Sequence, residues 1–243
     1  MTDVPANFRI QTLKEIVRHG LRLVGLGRRP SHLGSGNIRE RFSEIYASGV
    51  WQVGNDDAPG SGAGSSLQAT QNIRTELPRI LDTLGAETLL DIGCGDFTWM
   101  REVSLSQRYI GADIVPAVIE SNTANFSSDR REFHCLDAIS GTLPDADAVL
   151  CREMLFHLSF ADARRALQNI LSKPRKFILL TTDGSTGFNR DVDTGDFRLL
   201  NLTRRPFGFP TPAHVIDDSF VSPGRAIGVW HAEDIAAALR THA

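Results

Sequence analysis

The sequence predicts an α/β fold, doubly wound around a mostly parallel sheet, and three observations carry that prediction. From residue 88 onward, short runs rich in Leu, Ile and Val alternate with helix-like stretches, the pattern of a parallel sheet covered on both faces. The first run, within "LLDIGCGDFTWM" (residues 89–100), breaks into Gly93-Cys94-Gly95, as a first strand does where it turns toward a ligand loop. Two later runs, "AHVIDDSF" and "RAIGVWH", flank Val221-Ser222-Pro223-Gly224 and predict an antiparallel hairpin.

The bulk properties fit such a domain. The chain has 243 residues, 41% hydrophobic and 23% charged, with a formal net charge of −3, which is ordinary for one soluble α/β domain and wrong for a basic nucleic-acid binder. Its three cysteines, Cys94, Cys135 and Cys151, form no C-x-x-C pair. That argues against a disulfide framework and a zinc site, so no metal is expected, and it favours a reducing cytoplasm. No apolar run approaches the length of a membrane span.

Taken in order, "FRIQTLKEIVRHGLRLVGL" (8–26) gathers Phe8, Leu13, Ile16, Val17, Leu21 and Val24 toward one side, with Arg9, Lys14, Arg18 and Arg22 largely elsewhere. This is an amphipathic basic helix, a pattern shared by helices packed on a domain and helices in peripheral contact with a membrane. A second helix is expected through "IRERFSEIYASG". The Gly/Ser/Asp tract 54–66 follows, then a helix through "SLQATQNIRTELPRIL" capped by Ser65 or Ser66 and kinked or broken near Pro78. Residues 1–64 thus read as a helical extension with a Gly/Ser loop, and 65–243 as the main domain. There "TLLDIG", "RYIGADI", "REFHCLDA", "ADAVLCRE" and "KFILLTTD" read as strands. "DFTWMREVS", "VPAVIESNTANF" and "SFADARRALQNILS" read as helices. Residues 184–212 are a polar, Pro-containing excursion.

Ligands of open parallel sheets bind beyond the carboxyl ends of the strands. Those ends carry Asp91, Gly93, Cys94 and Gly95, then Asp113, Asp137, Arg152 with Glu153, and Asp183. Asp113 lies 20 residues after Gly93, the spacing at which a carboxylate takes both hydroxyls of a ribose. The dinucleotide fingerprint wants a third glycine where Thr98 stands, and the following helix is expected to begin at Asp96, whose charge would repel a pyrophosphate. A cofactor with adenine and ribose but no phosphate, such as S-adenosylmethionine, suits these residues better.

These residues carry a resemblance. "LLDIGCGD" resembles the glycine-rich first motif of the class I S-adenosylmethionine-dependent methyltransferases, "YIGADI" their ribose-binding acidic loop, "CLDA" their adenine loop and "DAVLCREMLFHL" their fourth strand. The resemblance covers residues 75–183. It implies a Rossmann-like sheet of seven strands, the last running antiparallel. Gly93, Cys94 and Gly95 would then lie against the amino-acid part of S-adenosylmethionine. Asp113 would hold the ribose, Ile114 would pack on the adenine, and Asp137 and Ala138 would flank it. Asp91 either contacts the cofactor or fixes the loop. "SGAGSS" (61–66) resembles a lid element of some members, which would bring Ser61, Gly62 and Ser65 to the cofactor, with Trp51 covering the sulfonium or the acceptor. Composition alone also allows a plain linker there.

For the chemistry, His157 is the candidate base, a few residues beyond the fourth strand and able to take a proton near neutral pH. Glu153 and Asp183 are alternatives, and Arg152 is placed at the cofactor or the loop. Asn189, Arg190 and Arg198 of the excursion are expected to bind substrate. The order "TTDG…N…G…R…NL…PF" resembles uncharacterised methyltransferases associated with bacterial glycan pathways. The expected activity is O-methylation of a sugar, glycan or other small hydroxylated acceptor. N-methylation of a small molecule and a catalytically silent cofactor-binding module are the alternatives. No nucleic-acid partner is expected, since no Asn-Pro-Pro-Tyr-like sequence follows the fourth strand.

Overall fold

The computed structural model of the chain describes residue 33 and residues 36–52 and 59–241. The basic helix expected over 8–26 and the stretch 53–58 of the Gly/Ser/Asp tract lie outside the described residues.

The strands are β1 (Thr88–Ile92), β2 (Arg108–Asp113), β3 (Arg131–Cys135), β4 (Ala148–Cys151), β5 (Phe177–Asp183), β6 (His214–Asp217) and β7 (Arg225–His231). They form one seven-stranded sheet in the order β3-β2-β1-β4-β5-β7-β6. β1 to β5 pair in parallel, and β7 runs antiparallel to both neighbours, so the sheet is the mostly parallel, doubly wound one the sequence predicts. Chain order reverses between β1 and β4, which opens a crevice at their carboxyl ends.

Both faces of the sheet are covered. On one side Leu90, Ile92 and Val149 pack with α4 (Phe160–Ile170) and α5 (Ala232–Thr241). On the other, Leu89, Leu150 and Leu179 pack with α2 (Gln71–Thr83). Adjacent residues of one strand thus serve opposite cores, because side chains alternate along a strand. α1 (Ile38–Ser48) sends Phe42 and Ile45 into the first core. Its start is a capping box: Asn37 accepts from the Glu40 amide while Glu40 accepts from Asn37. Gly49 ends it in the left-handed region at φ 63°. α3 (Pro116–Phe126) opens on a proline at its first position, where no amide partner is lost.

Four local expectations need correction. α2 begins at Gln71 after Thr70, which makes no side-chain cap bond, and Ser66 Oγ instead accepts from Ala69 in the preceding turn. α2 also runs through Pro78 to Thr83 without ending there. No α-helix forms over 96–104, only a 3₁₀ turn at Met100–Glu102. Phe97 sits at φ 61°, which a helix cannot accommodate, and its buried ring meets Tyr109, Phe126 and Phe133 at 5.1–5.3 Å. α5, with no counterpart among the predicted elements, follows β7 directly and buries Ala232, Ile235, Ala238 and Leu239.

Candidate active site

The crevice contains a cavity walled by the ends of β1 to β4, by α1 and by the segment around Ser61. At its base the glycine loop turns sharply, with Gly93 at φ 77° and Gly95 at φ 60°, conformations that side-chain-bearing residues rarely adopt. Space is also short. A Cβ on Gly95 would stand 2.9 Å from Ser61 Cβ, and one on Gly93 would stand 3.1 Å from Met154 Cβ.

Four carboxylates line this cavity, three of them aspartates. Asp91 accepts from the Tyr109 hydroxyl at 2.7 Å. Burial drives its pKa up to about 7, against the lowering effect of that bond. Asp113 accepts from Gly95 N at 3.1 Å on one oxygen and from Val115 N at 3.0 Å on the other. Burial still raises its pKa, because those amides recover only part of the lost hydration. Each Asp113 oxygen retains a lone pair for a further donor. Asp137 accepts from Ile139 N and Ser140 Oγ at 2.9 and 2.6 Å. Ile114, Ala138 and Ile139 add apolar lining beside Asp113 and Asp137.

This donor set tests the cofactor. Arg152 is already bonded to Asp218 and to the Gly64 carbonyl, so it offers a pyrophosphate little. Carboxylates with apolar walls suit a cation bearing ribose hydroxyls and a flat base. Asp96 has another task than the one expected. It begins no helix, and its carboxylate accepts from Ser61 N at 3.2 Å and Ser61 Oγ at 2.8 Å. The segment 61–66 is thus held at one end by Asp96 and at the other by Arg152. Ser61 and Ser65 line the cavity. Gly62 stands behind them at φ 96°, against Trp51.

His157 and Trp51 form part of the wall, with ring centroids 5.0 Å apart. His157 Nδ1 lies 3.0 Å from the Asp196 carbonyl. A carbonyl can only accept, so this assigns the ring proton to Nδ1 and leaves Nε2 with a lone pair. Burial lowers the pKa below the ordinary 6.5, outweighing the Asp196 carbonyl and the Glu153 charge, so the ring is neutral at pH 7. Glu153 lines the cavity in the left-handed region, at φ 62°. Burial raises its carboxyl, but Arg225, then Arg152, overcome this and hold it below the usual carboxylate range. An ion-paired carboxylate of that kind is a weak base.

The remaining candidates lie elsewhere. Asp183 is fully buried and accepts from Ser185 N at 2.9 Å and Ser222 Oγ at 2.7 Å, tying β5 to the turn before β7. Asn189 is also buried; it donates to the carbonyls of Asn201 and Arg205 and accepts from Asn201 N, all at 2.8 Å. Arg198 donates to the Leu158 carbonyl and stacks 4.7 Å over Phe160. Neither Arg198 nor Arg190 lines the cavity. The excursion folds inward because it carries its own core residues, Leu200, Leu202, Phe207 and Phe209. Its contribution to the site is indirect: Gly195 N donates to the His157 carbonyl at 2.7 Å, and Asp196 holds the ring. Conversely, Ile38, Phe42, Tyr46, Trp99 and Met154 line the cavity although no motif marks them. The apolar side of "IRERFSEIY" was the available signal, but it reads as core.

Residues 89–174 match the family model described as a methyltransferase domain. No curated protein matches the sequence. Among solved structures, the chain superposes on human N-acetylserotonin methyltransferase in complex with SAM with a TM-score of 0.56 at 16% identity. That match covers 84% of this chain and 62% of the human one, so the chain spans less than two thirds of its length. Magnesium protoporphyrin IX methyltransferase from Synechocystis PCC 6803 with bound SAH matches with a TM-score of 0.54 at 14% identity, over 79% of this chain and 97% of that one. With its β7 reversal and its glycine loop, the chain has the fold of these methyltransferases, and residues 89–174 of it match the methyltransferase domain.

Proposed function

We propose that the chain is an S-adenosylmethionine-dependent methyltransferase that acts on the hydroxyl of a small acceptor, with His157 as the base. The single observation carrying this reading is the His157 ring in the cavity wall, its Nδ1 anchored on the Asp196 carbonyl so that Nε2 keeps its lone pair. Asp113 would hold the ribose of S-adenosylmethionine, Ile114 and Ala138 its adenine, and the Gly93–Gly95 loop its amino-acid end. When bound, this cofactor supplies a methyl group already activated on a sulfonium. What is left to the protein is to align the acceptor and remove its proton. A weakly basic amine, unprotonated at pH 7, presents a ready lone pair and would leave His157 without that task. The sugar or glycan acceptor expected from the sequence rested on the polar residues of the excursion, Asn189, Arg190 and Arg198 among them, and on the resemblance of its residue order to glycan-pathway methyltransferases. Asn189 is bonded within the excursion and neither arginine lines the cavity, so the broader class, a hydroxylated small molecule, is the one retained.

His157→Gln is the test. Turnover is expected to fall about 10²–10⁴-fold, the usual contribution of a general base, with S-adenosylmethionine still bound in calorimetry. The wild-type kcat/KM should fall on acidification through a midpoint below 6.5, because only the neutral ring accepts a proton and burial lowers its pKa. Unchanged turnover in His157→Gln would remove the base and favour N-methylation.

A further inference from the structure

The wall around His157 has a definite chemical character. Ile38, Phe42, Trp51, Met154 and Leu158 line the cavity with it. Trp51 is the hub of a ring cluster, with centroids 6.3 Å from Phe42, 5.2 Å from Tyr46 and 5.0 Å from His157. Three of the polar side chains nearby are committed to other partners. Glu153 is bonded to Arg225, Arg152 to Asp218 and Gly64, and Ser61 to Asp96. A sugar would bring several hydroxyls into this space, and each one buried without a partner costs affinity about tenfold or more. A flat apolar ring would instead extend the existing edge-and-face cluster.

We propose that the acceptor is a neutral aromatic molecule with one reacting hydroxyl, a phenol and not a sugar, seated on Trp51 with its oxygen at His157. The assignment rests on the reading of His157 as the base. Proton chemistry points the same way. A phenolic hydroxyl titrates near ~10, whereas an alkyl hydroxyl resembles water at roughly 15.7, beyond a neutral imidazole of lowered basicity. In the step, the phenolic proton passes to His157 Nε2. The phenolate oxygen forms the new O–CH₃ bond as the S–CH₃ bond breaks, the electron pair staying on sulfur. His157 then releases its proton to solvent.

The full chain, saturated with S-adenosylhomocysteine, is titrated calorimetrically with 2-naphthol, its saturated analogue decahydro-2-naphthol, and methyl α-glucoside. The expected result is saturable naphthol binding at least about tenfold tighter than either comparison compound, with Trp51→Leu erasing the preference over the saturated alcohol. Glucoside binding as tightly as naphthol, naphthol no tighter than decahydronaphthol, or no saturable naphthol binding would each overturn the proposal. The wild-type comparison stands even if the Trp51 variant fails to fold. Methyl transfer to naphthol by wild type and His157→Gln separates this proposal from the one beneath it. Tight binding with equal transfer by both proteins removes the base and leaves the aromatic seat. His157-dependent transfer to the glucoside keeps the base and removes the seat.

Discussion

At the scale of single residues, the site is a set of carboxylates taken out of water, and Asp91 bears a cost that pH can read. Its proton is held up to about 7 in the fold, against 3.8 ordinarily. The folded state therefore binds that proton more tightly than the unfolded chain does. The sign follows: no penalty arises below 3.8, stability declines as pH rises from there to about 7, and the loss is constant above. At about 1.4 kcal/mol per pH unit, ionised Asp91 costs on the order of 4 kcal/mol. Asp91→Asn keeps an acceptor for Tyr109 and removes the charge. It is expected to raise the urea midpoint above pH 7 and to flatten its dependence between pH 4 and 7; an unchanged profile would show that Asp91 is not the group concerned. Strand-end residues such as Asp91 and Asp113 were legible in the sequence because spacing along a strand becomes position in space. Asn189 and Arg198, expected to bind substrate, stand away from the cavity lining for the converse reason. Their partners are carbonyls of the same excursion or of the turn before α4, and no linear pattern reveals such bonds.

At the scale of elements, strands, order and hairpin were legible, since alternating apolar runs and turn residues encode them locally. The segment after β1 was not. Apolar spacing over 96–104 imitates a helix, while the aromatic cluster around Phe97 and the bonds to Asp96 decide otherwise, and both depend on distant residues. Asp96 couples two loops through Ser61, so the segment 61–66 has a removable fastening. Asp96→Ala eliminates both bonds, and hydrogen bonds to a charged group contribute about 1.5–3 kcal/mol. Dissociation of S-adenosylhomocysteine in stopped flow should quicken about tenfold or more, with the thermal midpoint little moved. A wild-type dissociation rate would mean that the fastening does not govern cofactor exchange.

At the scale of the molecule, one buried ionic network joins pieces far apart in the chain. Asp218, its side chain fully buried, bridges Arg152 and Arg225 at 3.0–3.2 Å, and Arg225 reaches Glu153. Two guanidiniums and two carboxylates balance there. Removing one partner from such a group strands the others, at a cost of about 3–5 kcal/mol. Asp218→Ala should lower the denaturant midpoint accordingly with an unaltered slope. A loss within about 0.5 kcal/mol, the range of ordinary surface substitutions, would show the network to be solvated.

The same network has a consequence for synthesis. β7 is inserted between β5 and β6, yet it is translated after both. A nascent chain that has emerged as far as Asp183 holds β1 to β5 and the cavity carboxylates, but neither Asp218 nor Arg225. Arg152 and Glu153, 4.0 Å apart in the fold, already balance each other's charge in that half. The hairpin then brings one carboxylate and one guanidinium, adding no net charge but supplying the close partners of both groups. Translation proceeds at about 5–20 residues per second, so the earlier half waits for seconds on the ribosome without those partners.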